Sequence, residues 1–196
     1  MIPHTIMCPA ADYPVKGLHM LLKALALVKN YYPDVKLFVP GAPLKKANTL
    51  KLKLKQCGYD KLISKMLKDL DLTDNVIYTG RLTADEMAEK MSRVNCFAMT
   101  SSIENHSSTL KEAMTVGVPC IASYVGGVPE YAVDGENCLL YRFEDYEVLA
   151  QNICKLFENE DLRAKFSQAA KNKMRASKEE NDYEKMSEML KNIIKR

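Results

Sequence analysis

Six short apolar runs, separated by segments with helical periodicity, constrain the fold of this chain more than any other feature. Each run is continuous rather than alternating, which is typical of strands that are buried on both faces of a parallel sheet. The runs are Thr5–Cys8, Val35–Val39, Val76–Thr79, Cys96–Met99, Pro119–Ser123 and Cys138–Tyr141. Strands that alternate with helices in this way predict an α/β fold, a Rossmann-like doubly wound parallel sheet of about six strands.

Helix signals lie between these runs. Four leucines at spacings of three and four predict the first helix: Leu18, Leu21, Leu22 and Leu25. The sequence Thr83-Ala-Asp-Glu86 is a capping box and predicts a helix that begins there and ends near Arg93. From about Asp145 the pattern is helical only. We therefore expect one domain over residues 1–175 and a C-terminal helix over residues 176–196 that is free to pack on a partner domain.

Length and composition exclude several classes of protein. The 196 residues suffice for one such domain with a sizeable core. A net charge of +3 is too small to favour a nucleic-acid partner. No apolar run approaches the roughly 20 residues of a membrane-spanning helix, and the N-terminal residues lack the apolar stretch of a signal peptide. A cytoplasmic location is the default expectation.

The residues that commonly bind metals give no clear signal. The six cysteines form no Cys-x-x-Cys pair, and the three histidines, His4, His19 and His106, form no cluster. Asp69-Leu-Asp71 matches a metal-binding Asp-x-Asp pattern, but it lies at a predicted helix end, where solvated charge is the simpler interpretation. We expect neither a metal site nor a disulfide framework.

A polar loop that leads into a short helix holds the strongest functional signal. Glu104 and Glu112 stand there with seven residues between them, and the intervening Ser107, Ser108 and Thr109 are N-cap candidates. A carboxylate accepts hydroxyl hydrogens, and a helix N-terminus suits an anion such as phosphate. For two glutamates alone, a turn and an exposed helix face would be the simpler interpretation. The flanking sequence favours a ligand site.

These flanks belong to six segments whose order matches a known family. They are Lys16–Leu25, Tyr32–Gly41, Asn75–Gly80, Glu104–Ser123, Gly126–Glu130 and Asp134–Leu140. Over about residues 5–175 the chain resembles the C-terminal, donor-binding domain of the retaining GT-B glycosyltransferases of family 4. Each segment is a weak signal, but six in the family's order are a strong one.

The resemblance implies a nucleotide-sugar donor as substrate and requires no metal or other cofactor. Glu104 and Lys16 are implied as catalytic residues, with Glu104 facing the donor sugar and Lys16 neutralising the diphosphate leaving group. Glu112 is implied to hold the ribose hydroxyls. The remaining donor-binding residues that it implies are Gly17, Gly80, Arg81, Asn105, His106, Ser107, Ser108, Thr109 and Leu110.

Two departures from the family concern the donor site. Ala10 stands where the family often has an arginine that clamps the diphosphate, and Arg81 or His106 is available as a substitute. The segment 105–107 reads Asn-His-Ser where Gly-Phe-Gly is common, which alters the close backbone approach that glycine allows. His106 keeps two interpretations, a donor of hydrogen bonds to the sugar or an ordinary loop side chain.

Enzymes of this type have two Rossmann-like domains, and 196 residues accommodate one. We expect an excised domain or half of a split enzyme, which binds a UDP- or GDP-hexose and transfers weakly or not at all without an N-terminal domain or partner chain. The acceptor would be a saccharide or a lipid-linked molecule in polysaccharide biosynthesis. Three alternatives stay open: half of a nucleotide-sugar epimerase, a non-catalytic nucleotide-sugar-binding subunit, and a degenerate scaffold domain.

A basic segment offers one further partner. Residues Lys45–Lys68 carry eight lysines and a single acid, Asp60, with apolar residues at helical spacing. Such a segment can contact an anionic membrane surface, here the inner face of the cytoplasmic membrane. A solvated helical face is the simpler interpretation.

Overall fold

The computed structural model describes residues 2–41 and 58–179. Six parallel strands form one sheet in the order β3-β2-β1-β4-β5-β6. The strands are β1 Thr5–Met7, β2 Lys36–Val39, β3 Val76–Tyr78, β4 Cys96–Met99, β5 Cys120–Ser123 and β6 Leu139–Tyr141. Each of their ends lies within one residue of the end that the apolar runs predict, so the predicted α/β sheet is confirmed.

Six α-helices lie in the described part of the chain. They are α1 Leu18–Lys29, α2 Gly58–Asp69, α3 Ala84–Arg93, α4 Ser108–Val116, α5 Tyr146–Glu158 and α6 Glu160–Glu179. The predicted boundary at residue 175 lies inside α6. Residues 42–57 and 180–196 lie outside the described residues, and the first of these ranges includes the N-terminal half of the basic segment Lys45–Lys68. Packing of the tail and membrane contact therefore stay predictions.

Helices cover both faces of the sheet because successive strand residues point to opposite sides. Ile6 faces a core shared with α1, α2 and α5, whereas Met7 faces a core shared with α3 and α4. Helix α6 contacts both cores, since Phe166 packs in the first and Met174 in the second. The burial on both faces explains why the strand sequences are continuous apolar runs.

The Asp69-Leu-Asp71 pattern spans the end of α2 and the turn that follows it. Asp71 adopts a positive φ of 51° just beyond the end of α2. Its carboxylate is 96 % exposed and accepts a hydrogen bond from Lys29 Nζ at 3.0 Å. The pair is a solvated surface contact between α1 and this turn.

The capping box of α3 forms as predicted. Thr83 Oγ1 accepts from Glu86 N at 3.3 Å, and Glu86 Oε2 accepts from Thr83 N at 2.8 Å. Hydrogen bonds from Thr83 hold the pKa of Glu86 below its usual range. Thr83→Ala is expected to lower the free energy of unfolding by about 1 kcal/mol, whereas Thr83→Ser should retain the cap. Urea titrations of the two variants measure the difference, and equal losses would contradict this role for the hydroxyl.

Candidate functional site

The loops after β1 and β4 meet at the carboxyl edge of the sheet. These strands are neighbours, and the strand order reverses between them, which is where open α/β sheets bind ligands. Ser102 N donates to Val15 O at 2.8 Å, and Thr100 Oγ1 donates to Lys16 O at 3.0 Å. Two loops far apart in the sequence thus form one continuous surface.

An ion pair lies at the centre of this surface. Lys16 Nζ and Glu104 Oε1 are 2.6 Å apart, and Ser101 Oγ donates to the same carboxylate oxygen at 2.7 Å. The Glu104 side chain is 12 % exposed, and that of Lys16 is 34 % exposed. Partial burial and a second donor strengthen such a charge-assisted contact. The structure therefore brings together the two residues for which the resemblance implies catalysis.

Gly17 sets the position of Lys16. It has φ of 69°, ends the 3₁₀ turn Pro14–Lys16 and precedes the first residue of α1. A Cβ atom on Gly17 would lie 1.7 Å from Thr100 O, far inside van der Waals contact. Only glycine allows this turn and this approach together.

The backbone of Gly126 also packs closely against the loop that carries Glu104. Gly126 has φ of 49°, and a Cβ atom there would lie 1.6 Å from Glu104 O. Gly127 N donates to Asn105 O at 2.9 Å. The Gly126–Gly127 turn thus supports the backbone of the loop that carries Glu104.

Helix α4 begins four residues after Glu104. Ser107 is the N-cap, and its hydroxyl accepts from Leu110 N at 3.4 Å. The backbone N–H groups of Ser108 and Thr109 lie in the first turn, where a helix provides no acceptor. The side chains of Ser107 and Leu110 are buried, so any contact of these two residues with a ligand would come through the backbone.

His106 contacts neighbouring side chains. Its Nε2 lies 3.3 Å from Glu130 Oε2, an ion pair when the imidazole is protonated, and its ring packs edge-on against Tyr131. Burial raises the pKa of Tyr131 to about 12, and its hydroxyl points to Ser107 O at 3.5 Å. The His106 ring is half-exposed on the loop. Both interpretations of His106, a donor to the sugar and an ordinary loop side chain, stay open.

The other predicted residues lie on α4 and after β3. Glu112 is exposed in the second turn of α4, and no described residue forms a hydrogen bond or ion pair with its side chain. Gly80 follows β3, two strands away from β1, and its carbonyl accepts from Gly41 N at 2.9 Å. Arg81 is exposed beside it, and no ion pair joins it to the described residues. These residues are spread over an extended surface.

Sequence reasoning missed Ser101, the second donor to Glu104. The available signal was a serine at the carboxyl end of a buried strand, three residues before a candidate carboxylate. Within residues 2–41 and 58–179, no group of three His, Cys, Asp or Glu side chains could hold a metal ion. None of the helices described is long and apolar enough to cross a membrane.

Two pockets lie away from this edge. One, of about 300 Å³, is lined by residues that include Phe38 and Lys90, and the other, of about 390 Å³, by residues that include Gly117 and Arg163. Neither contains Lys16 or Glu104. The candidate site is at the carboxyl edge, which combines the Lys16–Glu104 ion pair, close backbone packing at two glycines, and a helix N-terminus where Ser108 N and Thr109 N have no described acceptor.

The sequence of the chain matches a known protein family and several curated proteins. The model for "Glycosyl transferases group 1" matches residues 3–173. The N-acetyl-alpha-D-glucosaminyl L-malate synthase of Bacillus anthracis is 30 % identical over 109 residues, 56 % of this chain and 28 % of that protein. A GDP-mannose-dependent monoacylated alpha-(1-6)-phosphatidylinositol monomannoside mannosyltransferase of Corynebacterium glutamicum is 26 % identical over 96 % of this chain and 46 % of its own length. The chain spans less than half of these curated relatives.

Solved structures share the fold. Anabaena HepE in complex with UDP superposes with a TM-score of 0.74 at 23 % identity, over 88 % of this chain and 44 % of that one. The C-terminal domain of a group 1 glycosyl transferase (LpcC) from Francisella tularensis gives a TM-score of 0.71 at 23 % identity, over 89 % of this chain and 87 % of that one. The expected half of a GT-B fold is confirmed. By its sequence match over residues 3–173, the chain belongs to the group 1 glycosyl transferase family.

Proposed function

We propose that this chain is the nucleotide-sugar donor-binding domain of a retaining glycosyltransferase that transfers a hexose from a UDP- or GDP-sugar. The observation that carries the proposal is the Lys16–Glu104 ion pair at the carboxyl edge, next to the loop that leads into α4. A cation and backbone N–H groups without a described acceptor suit a diphosphate, and a carboxylate accepts the hydrogens of sugar hydroxyls.

The diphosphate would bind Lys16 and the first turn of α4. The ammonium supplies positive charge, and the N–H groups of Ser108 and Thr109 supply hydrogen bonds along the helix dipole. As the glycosidic bond breaks, the leaving diphosphate gains charge, so a fixed ammonium lowers the barrier. No step of the proposal uses a metal.

The carboxylates of Glu104 and Glu112 would accept hydrogen bonds from hydroxyl groups of the donor. Glu104 faces the sugar through the carboxylate oxygen that Lys16 and Ser101 leave free, and Glu112 accepts from the ribose hydroxyls. Gly80 and Arg81, at the end of β3, flank the base. The proposal thus assigns the sugar, the diphosphate, the ribose and the base of one ligand to separate groups of residues.

The names of related proteins support two donor classes. HepE was solved with UDP, and the mannosyltransferases of Corynebacterium glutamicum and Mycolicibacterium smegmatis are GDP-mannose-dependent. We further propose that transfer to a saccharide or lipid-linked acceptor in polysaccharide biosynthesis needs an N-terminal domain or partner chain, as expected for a cytoplasmic enzyme that acts at the membrane face. The short span relative to the relatives supports this division.

Calorimetric titration of the purified chain with UDP and GDP, and then with their hexose conjugates, tests the proposal. We expect saturable binding of one nucleotide, with tighter binding of one of its sugars. Absence of binding by all of them would contradict donor binding by this domain.

Glu112→Ala is expected to weaken binding of that nucleotide about tenfold or more, because a carboxylate loses its hydrogen bonds to two hydroxyls. The melting temperature should stay close to that of the wild type, since Glu112 is exposed and has no described partner. Glu89→Ala removes another exposed helical carboxylate, one that pairs with Arg93 at 2.6 Å, and controls for the change in net charge. A large loss of stability with unchanged nucleotide affinity would refute the assignment of Glu112.

A further inference from the structure

Ser101 is a buried polar residue whose hydroxyl contacts the site carboxylate. It follows the last residues of β4 and has no solvent exposure. Its Oγ lies 2.7 Å from Glu104 Oε1 and donates a hydrogen bond to it. A buried hydroxyl of this kind is fixed by its surroundings, and removal of it would leave the acceptor with one donor fewer.

The neighbouring strand fixes the backbone of Ser101. Ser123, the last residue of β5, is also fully buried, and its Oγ donates to Ser101 O at 2.5 Å. The backbone of Ser101 is therefore held between β4, which it follows, and the adjacent strand β5.

Both described donors to Glu104 bind the same oxygen. Lys16 Nζ and Ser101 Oγ contact Oε1, and no described residue donates to Oε2. Two donors at one oxygen hold the plane of the carboxylate and leave the second oxygen with its lone pairs open. The Lys16 ammonium is at the end of a long side chain that is 34 % exposed, whereas Ser101 has no solvent exposure.

We propose that Ser101 is a positioning residue for the donor sugar: it orients the Glu104 carboxylate so that Oε2 accepts hydroxyl hydrogens from the hexose. This inference rests on the proposed function, since it deepens the description of the same site. Ser101 itself touches no donor atom and acts through Glu104.

The chain provides a matched control. Ser102 is the next residue, is half-buried, and its Oγ lies 3.4 Å from Val15 O without contact to Glu104. Ser102→Ala therefore removes the same chemical group one position away. The backbone hydrogen bond from Ser102 N to Val15 O remains in that variant.

The experiment is a calorimetric titration of wild type, Ser101→Ala and Ser102→Ala with the nucleotide and with the nucleotide sugar that bind the wild type. In Ser101→Ala we expect unchanged nucleotide affinity and a loss of about tenfold in the extra affinity that the sugar provides. Ser102→Ala should match the wild type in both. A general loss of structure would lower nucleotide affinity as well, so the ratio of the two affinities isolates the effect on Glu104.

The possible failures are distinguishable. If the wild type binds nucleotide sugar and Ser101→Ala keeps the full contribution of the sugar, the positioning role is wrong and the proposed function stands. If the wild type binds neither ligand, the proposed function fails, and the positioning role fails with it. Should Ser101→Ala not fold, Ser101→Cys preserves the side-chain size with a weaker donor, and a wild-type affinity ratio in that variant would also overturn the inference.

Discussion

Gly17→Ala is expected to lower the free energy of unfolding by about 2–5 kcal/mol, the largest stability effect of any single change considered for this chain. Two costs add. The new residue would have to adopt a φ of 69°, and its Cβ would lie 1.7 Å from Thr100 O. Relief of that clash requires the loop after β1 to move away from the loop after β4.

Gly135→Ala separates these two costs. Gly135 also has a positive φ, 72°, but no atom lies within 4 Å of the position of its Cβ. That variant should lose only the conformational part, about 1–2 kcal/mol. Chemical denaturation of both variants measures the difference. Equal losses would show that the approach of Gly17 to Thr100 carries no special cost.

Lys16→Ala is expected to reduce affinity for the nucleoside diphosphate by about ten- to a hundredfold, because the diphosphate would lose the ammonium that neutralises it. In a complete enzyme the same change should lower kcat by about a hundredfold or more, since charge on the leaving group grows in the transition state. Calorimetry measures the first effect, and steady-state kinetics of the enzyme with its N-terminal domain measures the second.

Lys23→Ala provides the control for net charge. Lys23 lies in the same helix that follows Lys16, is exposed, and packs over the ring of Tyr146 at 5.2 Å. The Lys23→Ala variant should bind nucleotide with the affinity of the wild type. If Lys16→Ala binds the nucleoside diphosphate as tightly as the wild type, the role assigned to the Lys16 ammonium is wrong, and if neither binds it, the scaffold alternative is favoured.

The strands could be predicted from sequence because burial on both faces leaves a continuous apolar signature, as in Cys96–Met99. The resemblance implied roles for both Lys16 and Glu104, and the structure brings the two side chains into contact. Their meeting agrees with a general rule, since both follow strands that lie side by side where the strand order of the sheet reverses.

The details that sequence could not provide depend on side-chain direction. The donation from Ser101 to Glu104 needs a specific rotamer and a specific turn, and neither leaves a periodic signal. Leu110 shows the opposite case. It lies among the residues implied to bind the donor, yet its side chain packs in the core with Ala113 and Met114, as the spacing of three and four would indicate.

The pairing of β1 with β4 has a consequence for how the protein acquires its chemistry during folding. Lys16 and Glu104 are 88 positions apart in the chain, and they meet only because those two strands are adjacent. Closing so long a loop costs entropy before any contact repays it, and parallel pairing of this kind is intrinsically slow. A nascent chain that has not yet added β4 to β1 lacks the ion pair, however well its first helix and strands have formed. The Lys16–Glu104 ion pair is therefore a product of strand pairing across the sheet rather than of any local segment.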